Sequence, residues 1–273
     1  MKNKLFYNLF ALLVVSVAVN LMSCSESYTD EHPDLKVKHE KEIVADFDGN
    51  TYSLVSIGDQ VWMKENLNVS HFLNGDPILH VTGNYEWFEA GENGVPAWRY
   101  PNDDPALGEK YGKLYNGFAL NDPRGLAPEG WKVPDNNDWE KLFVSIGGGD
   151  AEASERVGSI RKPGESEEKE VMLGYIWKDI GKLLKSDLKE TKETGSFAFM
   201  GKMGGKVDRY GNFYGTGETG YWWIYPDNNE YIFMSEPIRN DFGRISLFSE
   251  RDAVMIGSAV YKQQGFSVRL IKK

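Results

Sequence analysis

Residues 134–149 read PDNNDWEKLFVSIGGG and predict the clearest helix of the chain. Asn137 is placed as the N-cap and Glu140 follows three positions later, which is the spacing of a capping box. The apolar residues recur at helical spacing and share one face: Trp139, Leu142, Phe143 and Ile146. The glycine run 147–149 ends the pattern. We therefore predict a helix whose apolar face packs into a core.

The segments before this helix predict strands and loops. Residues 52–57 and 60–63 are rich in β-branched and aromatic side chains and flank the turn pair Gly58-Asp59, which predicts a β-hairpin. Residues 66–110 are rich in Gly, Asn and Pro with scattered aromatics. That composition is typical of long ordered loops and not of regular elements.

The segments after it change from helical to extended patterns. Shorter helices are expected over residues 151–160 and 177–184, with a charged surface loop between them. From Phe197 onward, turn residues separate short β-rich runs at 212–214, 221–225, 231–234, 253–261 and 266–271. Early helices and late antiparallel strands predict one α+β domain with long loops, which we place at residues 43–273.

The N-terminus has the pattern of a secretory signal. Two lysines precede an apolar run over residues 5–19, and Leu21-Met22-Ser23 leads into Cys24, the only cysteine of the chain. This junction resembles the lipobox of bacterial lipoproteins, in which the thiol is acylated and the chain is cut before the cysteine. The resemblance implies that residues 1–23 are removed and that Cys24 carries lipid.

The segment behind Cys24, residues 24–42, is polar, charged and non-periodic, which predicts a flexible tether. Its first acids resemble the surface-export signal of lipoproteins in the Bacteroidetes group, although an ordinary polar linker is the alternative; these acids are Glu26, Asp30 and Glu31. We therefore expect an outer-membrane lipoprotein that is exposed at the cell surface or faces the periplasm.

Charge restricts the partners. The formal net charge is −10, and it becomes −12 once residues 1–23, with two lysines and no acid, are removed. An acidic surface disfavours nucleic acid and anionic lipid headgroups, so we expect membrane attachment through the N-terminal lipid. With Cys24 acylated, no thiol remains for a disulfide, a thiolate metal site or a cysteine nucleophile.

Motifs for metal binding and catalysis are weak. Asp46-x-Asp48-Gly49-Asn50 matches a calcium loop only in part, because Leu54 and Val55 stand where further ligands would continue. A turn is the better interpretation, and Asp208-x-x-Gly211-Asn212 has the same pattern. The histidines lack a second ligand at metal spacing, and the sequence contains no nucleophile elbow or phosphate loop. We predict no metal, no cofactor and no catalytic residue.

Aromatic residues are the remaining candidates for ligand binding. Along residues 221–225, odd and even positions point to opposite faces of a strand, so an exposed face would offer flat rings to a sugar or a protein partner. Burial of both faces is the alternative. A second aromatic patch lies in the early loops. The candidate binding residues are Trp98, Tyr100, Tyr221, Trp223, Tyr225, Asp227 and Asn228.

Seven segments, in this order, resemble the Fibrobacter succinogenes major paralogous domain family. They are Asp48-Gly49-Asn50-x-Tyr52, Ile57-Gly58-x-Gln60-x-Trp62-Met63-x-Glu65-Asn66-Leu67, Tyr111-Gly112-x-Leu114-Tyr115, Pro128-x-Gly130-Trp131-x-Val133-Pro134, Gly181-Lys182-x-Leu184-Lys185, Gly220-Tyr221-Trp222-Trp223 and Gly265-x-Ser267-Val268-Arg269. The resemblance implies an exported, often lipid-anchored protein of a family generally without known activity.

Some of these segments also look like the C-type-lectin-like fold, which formylglycine-generating enzymes share. This chain departs from those enzymes because it has no free cysteine, and from calcium-dependent lectins because their ligand tripeptides are missing. We therefore expect a C-type-lectin-like α+β domain that is not an enzyme. Its expected role is binding or adhesion at the cell surface, with a neutral glycan or a surface protein as partner, as an accessory to a nutrient-uptake assembly. An exported polysaccharide hydrolase and a purely structural surface lipoprotein remain alternatives.

Overall fold

The computed structural model describes residues 37–147, 155–157, 173–178, 180–185, 199–226, 231–233, 236–238 and 242–273. Cys24, Asp227 and Asn228 lie outside these ranges, and so does most of the predicted tether. Among the described residues, no helix has both the length and the apolar character needed to cross a bilayer.

The described elements are mostly short strands. In chain order the strands are β1 (Val37–Ala45), β2 (Thr51–Ile57), β3 (Gln60–Met63), β4 (Leu79–His80), β5 (Ala97–Arg99), β6 (Leu114–Asn116), β7 (Trp131–Lys132), β8 (Glu155–Val157), β9 (Leu173–Trp177), β10 (Lys206–Val207), β11 (Phe213–Tyr214), β12 (Thr219–Ile224), β13 (Tyr231–Phe233), β14 (Glu236–Ile238), β15 (Phe242–Phe248), β16 (Val254–Val260), β17 (Gly265–Phe266) and β18 (Ile271–Lys272). The helices are α1 (Asn84–Glu92), α2 (Pro105–Tyr111), α3 (Gly117–Leu120), α4 (Asn136–Ser145) and α5 (Gly181–Leu184), with a 3₁₀ turn at Pro101–Asp103.

The first sheet has the order β1-β2-β3-β18-β7. The predicted hairpin is confirmed, because β2 pairs antiparallel with β3 and Val55 lies opposite Trp62. β1 begins at Val37, inside the segment predicted as a tether, and pairs with β2 up to Ala45. β18 then brings the C-terminus of the chain next to β3, with Ile271 opposite Trp62.

The second sheet has the order β11-β10-β17-β6-β5-β4, and the third has the order β12-β15-β16-β9-β8. β13 pairs only with β14 among the described strands. The second and third sheets are joined where Trp222 of β12 forms a parallel bridge to Ser267, just after β17. Distant parts of the chain therefore meet near the aromatic strand β12.

Helix α4 confirms the helix predicted from residues 134–149, and its predicted apolar face is fully buried. The rings of Trp139 and Trp62 lie 5.0 Å apart, and Trp139 and Trp222 lie 6.4 Å apart. The predicted cap was two residues too late. Asp135 is the N-cap, its side chain accepts from the Asp138 N–H, and the Asp138 side chain accepts from the Asp135 N–H. Asn137 with Glu140 and Asp135 with Asp138 have the same three-residue spacing and side-chain oxygens that can accept the reciprocal bonds, so spacing alone could not choose the register.

The prediction of an α+β, C-type-lectin-like fold with early helices is wrong. The described residues form mostly strands arranged in sheets, and the helices are short. The segment predicted as a helix over residues 151–160 contains β8. Within the helix predicted over 177–184, α5 covers Gly181–Leu184, but Trp177 ends β9. Residues 66–110, predicted as loops, contain α1 and α2. Short apolar runs suit helix and strand equally well, and pairing of β9 with the distant β16 decided the outcome.

A buried polar hub ties these layers together. Arg269 is fully buried, and its guanidinium donates to the carbonyls of Met63 (3.1 Å) and Phe199 (2.7 Å) and to Asn66 Oδ1 (2.8 Å). The same Asn66 oxygen accepts from Trp222 Nε1 at 2.8 Å. Burial lowers the pKa of Arg269 to about 9. Because buried charges are costly unless hydrogen-bonded, this hub fixes the geometry of the strands that supply it.

Candidate functional site

The predicted aromatic strand forms β12, and the side chains on both of its faces are largely buried. Trp223 is fully buried and its Nε1 donates to the Tyr115 carbonyl at 2.7 Å. Trp222 is also fully buried. Tyr221 is half-buried against Phe266, with ring centroids 5.8 Å apart. The alternative interpretation, burial of both faces, therefore holds for the centre of the strand, and Trp223 offers no exposed platform.

Tyr225, at the end of this segment, is the exception. Its side chain is partly exposed, and its ring packs edge-on against Phe242 with centroids 5.7 Å apart. Asp227 and Asn228, predicted as its polar neighbours, lie outside the described residues.

The predicted patch at Trp98 and Tyr100 is also largely covered. Trp98 is buried, and the imidazole of His80 stacks on it with centroids 3.9 Å apart and an interplanar angle of 5°. Tyr100 is half-buried and meets Trp98 edge-on at 4.9 Å. The Lys113 ammonium lies 4.2 Å from the centre of the Trp98 ring. The structure therefore brings Trp98 and Tyr100 together, as predicted, but places His80 at the surface in front of Trp98.

Two loops of the chain share the pattern Asp-x-x-Gly-Asn-x-Tyr and the same internal hydrogen bonds. In the first, residues 46–52, Asp46 Oδ1 accepts from the backbone N–H groups of Asp48 and Asn50, both at 3.0 Å. Asp46 Oδ2 accepts from Asn50 Nδ2 at 2.8 Å and from the Tyr52 hydroxyl at 2.6 Å. Gly49 supplies the positive φ of 79° that closes the turn. We refer to residues 46–52 as the Asp46 loop.

The second loop, residues 208–214, repeats this bonding and is referred to as the Asp208 loop. Asp208 Oδ1 accepts from Tyr210 N–H (2.9 Å) and Asn212 N–H (2.8 Å). Its Oδ2 accepts from Asn212 Nδ2 and from the Tyr214 hydroxyl, both at 3.2 Å. The carboxylates of Asp46 and Asp208, the first residues of the two calcium-like patterns, are thus hydrogen-bonded within their own loops. In the described part of the chain, no group of three or more His, Cys, Asp and Glu side chains is placed to hold a metal ion.

The Asp208 loop carries an exposed aromatic cluster. Tyr210 is 45% exposed and stacks beside Phe88 of α1, with centroids 6.2 Å apart and an interplanar angle of 16°. The Arg209 guanidinium lies 4.6 Å from the Tyr210 ring centre and 5.3 Å from that of Tyr261, which is 56% exposed. We call Phe88, Arg209, Tyr210 and Tyr261 the Tyr210 surface.

Buried contacts position this surface. Trp87 of α1 is buried and donates from Nε1 to the Asp208 carbonyl at 2.9 Å, which holds Phe88 beside the Asp208 loop. Asn84 Nδ2 donates to Asn212 Oδ1 at 3.1 Å. A Cβ atom at Gly211 would lie 2.5 Å from Asn84 Cα, so only glycine allows α1 to approach the loop this closely. These contacts hold the Asp208 loop against α1 and so fix the positions of Tyr210 and Phe88.

Four aspartates among the described residues have a lowered carboxyl pKa. Hydrogen bonds from Arg124 lower the pKa of Asp76 and of Asp122. Burial alone would raise the pKa of Asp48, but hydrogen bonds from the Ser70 N–H and from His71 outweigh it and the pKa falls. Asp135 behaves similarly, because the N–H of Asp138 and the ammonium of Lys132 outweigh its burial. A general acid in glycoside hydrolysis needs the opposite shift, a raised carboxyl pKa.

The family comparison agrees with the order of sequence segments described above. The model of the Fibrobacter succinogenes major domain matches residues 55–272, which is most of the chain. The chain belongs to this family. Neither a curated protein nor a solved structure matches it. In this major-domain protein, several of the family-like segments supply the buried hub, because they contribute Asn66, Trp222 and Arg269.

The Tyr210 surface uses other positions and was missed by sequence reasoning. Phe88, Arg209, Tyr210 and Tyr261 are scattered along the chain, and none stands in a periodic pattern that marks an exposed face. The available signal was the repeated Asp-x-x-Gly-Asn-x-Tyr pattern, which predicts two equivalent turns but not which of their side chains remain exposed.

Proposed function

We propose that this major-domain protein is a non-catalytic binding module, anchored by lipid at Cys24 to the outer membrane, that holds a neutral glycan on the Tyr210 surface. The observation that carries the proposal is the exposed Tyr210 ring, which is stacked beside half-buried Phe88 and joined to exposed Tyr261 by the Arg209 guanidinium. Such a module suits an accessory role in a nutrient-uptake assembly at the cell surface.

The chemistry of the surface supports a sugar ligand. Aromatic rings offer apolar faces of fixed orientation, and tyrosine adds a hydroxyl group that can bond a sugar hydroxyl. Arg209 Nη2 donates to the Tyr210 hydroxyl, which orients that hydroxyl group on the surface. The formal net charge of −12 after removal of residues 1–23 repels acidic polysaccharides, which favours a neutral chain.

A glycan array probed with the purified full chain tests the proposal directly. A bound neutral glycan should lose affinity when Tyr210 or Tyr261 is changed to Ala, by about 1–3 kcal/mol for an exposed anchor residue. Because stacking is only weakly sensitive to ions, affinity should change little between low and moderate salt.

Tyr225→Ala is the matched control, since Tyr225 is a partly exposed tyrosine packed on Phe242 instead of the Tyr210 surface. Each variant is first checked for unchanged unfolding. An array without neutral-glycan binding, or an affinity that collapses with salt and ignores Tyr210 and Tyr261, would refute the proposal. If the chain instead bound a surface protein and no glycan, its partner would be a surface protein, the other class expected from the sequence.

A further inference from the structure

The Asp46 loop also carries an exposed aromatic side chain, at a different position of the shared pattern. The two loops have the same hydrogen bonds to their first aspartate. Phe47, the second residue of its loop, is 52% exposed, whereas the exposed Tyr210 is the third residue of the Asp208 loop. Phe47 also has a ring partner, because the imidazole of His71 lies 5.8 Å away between ring centroids.

The Phe47 ring packs against a hydrogen-bonded turn. A Cβ atom at Gly75 would lie 3.0 Å from Phe47 Cζ, so the phenyl ring is in contact with the turn at Gly75. That turn is closed by the hydrogen bond from Gly75 N–H to the Phe72 carbonyl at 2.9 Å. The ring is therefore an exposed apolar surface of defined position.

His71 is oriented by a carboxylate. Its Nδ1 lies 2.5 Å from Asp48 Oδ1, and its side chain is 38% exposed. In the neutral imidazole with its proton on Nδ1, Nε2 accepts hydrogen bonds on the other side of the ring. Asp48 is itself held by the backbone N–H of Ser70. Lys113 fixes Ser70 in turn, since its ammonium donates to Ser70 Oγ at 2.6 Å and to the Asn68 carbonyl at 2.6 Å.

An apolar ring beside an oriented imidazole and a carboxylate is suited to a sugar. The pyranose face can pack on Phe47, and hydroxyl groups can donate to His71 Nε2 and to the remaining lone pairs of Asp48. We propose that Phe47, Asp48 and His71 form a second binding site for neutral glycans, which makes the protein bivalent toward long chains. This inference rests on the proposed function, because it assigns the same ligand class to a separate set of residues.

Calorimetry on the detergent-solubilised full chain counts the sites. The probes are the neutral hexasaccharides of β-linked glucose, mannose and xylose, followed by hydroxyethylcellulose, galactomannan and arabinoxylan as the corresponding long chains. We expect two binding sites per chain for the short probe that binds. Phe47→Ala and His71→Ala should each abolish binding at the second site and leave the Tyr210 surface intact. Tyr261→Ala should abolish binding at the Tyr210 surface and leave the second site intact. On the matching polysaccharide, loss of either site should lower the apparent affinity by about tenfold or more, because avidity is lost.

Ile43→Ala is the matched control, since Ile43 is an exposed apolar residue of the neighbouring strand β1 and should leave both sites intact. Phe47→Tyr should retain binding. One site per chain, removed by Tyr261→Ala and unaffected at Phe47 and His71, overturns this inference and leaves the proposed function standing. One site that requires Phe47 and ignores Tyr261 overturns the assignment of the Tyr210 surface. Failure of every probe to bind overturns both.

Discussion

Replacing Asn66 with Ala should destabilise the protein severely, because Asn66 is the centre of the buried hub. Its Oδ1 accepts from Trp222 Nε1 at 2.8 Å and from Arg269 Nε and Nη2 at 3.1 and 2.8 Å. Its Nδ2 donates to the Tyr111 carbonyl at 2.7 Å. The alanine variant removes all four bonds while every partner stays buried or half-buried.

The size of the effect follows from the unsatisfied groups. A buried neutral donor or acceptor without a partner costs about 1–3 kcal/mol, and a charged one costs more. Arg269 keeps its bonds to Met63 and Phe199, so its loss is partial. Adding the indole of Trp222, the carbonyl of Tyr111 and part of Arg269, we expect roughly 4–6 kcal/mol of lost stability. That is comparable to the whole stability of a typical domain, about 5–15 kcal/mol.

Urea unfolding followed by tryptophan fluorescence measures this loss. Asn93→Ala is the matched control, since Asn93 is exposed and makes one side-chain bond to Glu89, and it should cost less than about 1 kcal/mol. Asn66→Asp should be intermediate, because a carboxylate still accepts from Trp222 and Arg269 but cannot donate to Tyr111. If Asn66→Ala were no less stable than Asn93→Ala, the hub would not hold the sheets together and the reasoning would be refuted.

Three further results are expected. Trp139→Ala should cost about 3–5 kcal/mol in the same assay, because it empties a fully buried site; a loss below about 1 kcal/mol would contradict its packing against Trp62. Burial lowers the pKa of Lys113 from 10.5 to about 8, so the folded state binds fewer protons than the unfolded state between these values. Lys113 should therefore contribute about 2 kcal/mol, after partial screening, to a rise in stability between pH 8 and 10.5. The rise should be smaller by about that amount in Lys113→Met, where the lowered pKa of Arg269 still contributes. Cys24→Ser should leave an unprocessed or water-soluble product in cell fractionation, and an unmodified Cys24 thiol in the membrane fraction would refute lipidation.

Local patterns predicted several elements correctly. The hairpin of β2 and β3 follows from β-rich runs on either side of Gly58-Asp59, and both partners lie within a few residues. The buried face of α4 follows from helical spacing of its apolar residues. The family was also predicted correctly, because it was inferred from the identity and order of sequence segments, which do not depend on the tertiary arrangement. The hairpin and the helix face depend on residues that are close in the chain, and the family depends on residue identity alone.

The tertiary structure decided the rest. β9 became a strand because β16, far along the chain, pairs with it, and Trp223 became a core residue because Tyr115 and Phe266 close over it. The Tyr210 surface joins residues from α1, the Asp208 loop and the segment before β17. Exposure is a property of what packs against a residue, and an aromatic side chain suits a core and a binding surface equally well. Sequence therefore determined which rings the protein has, and long-range pairing determined which of them face solvent.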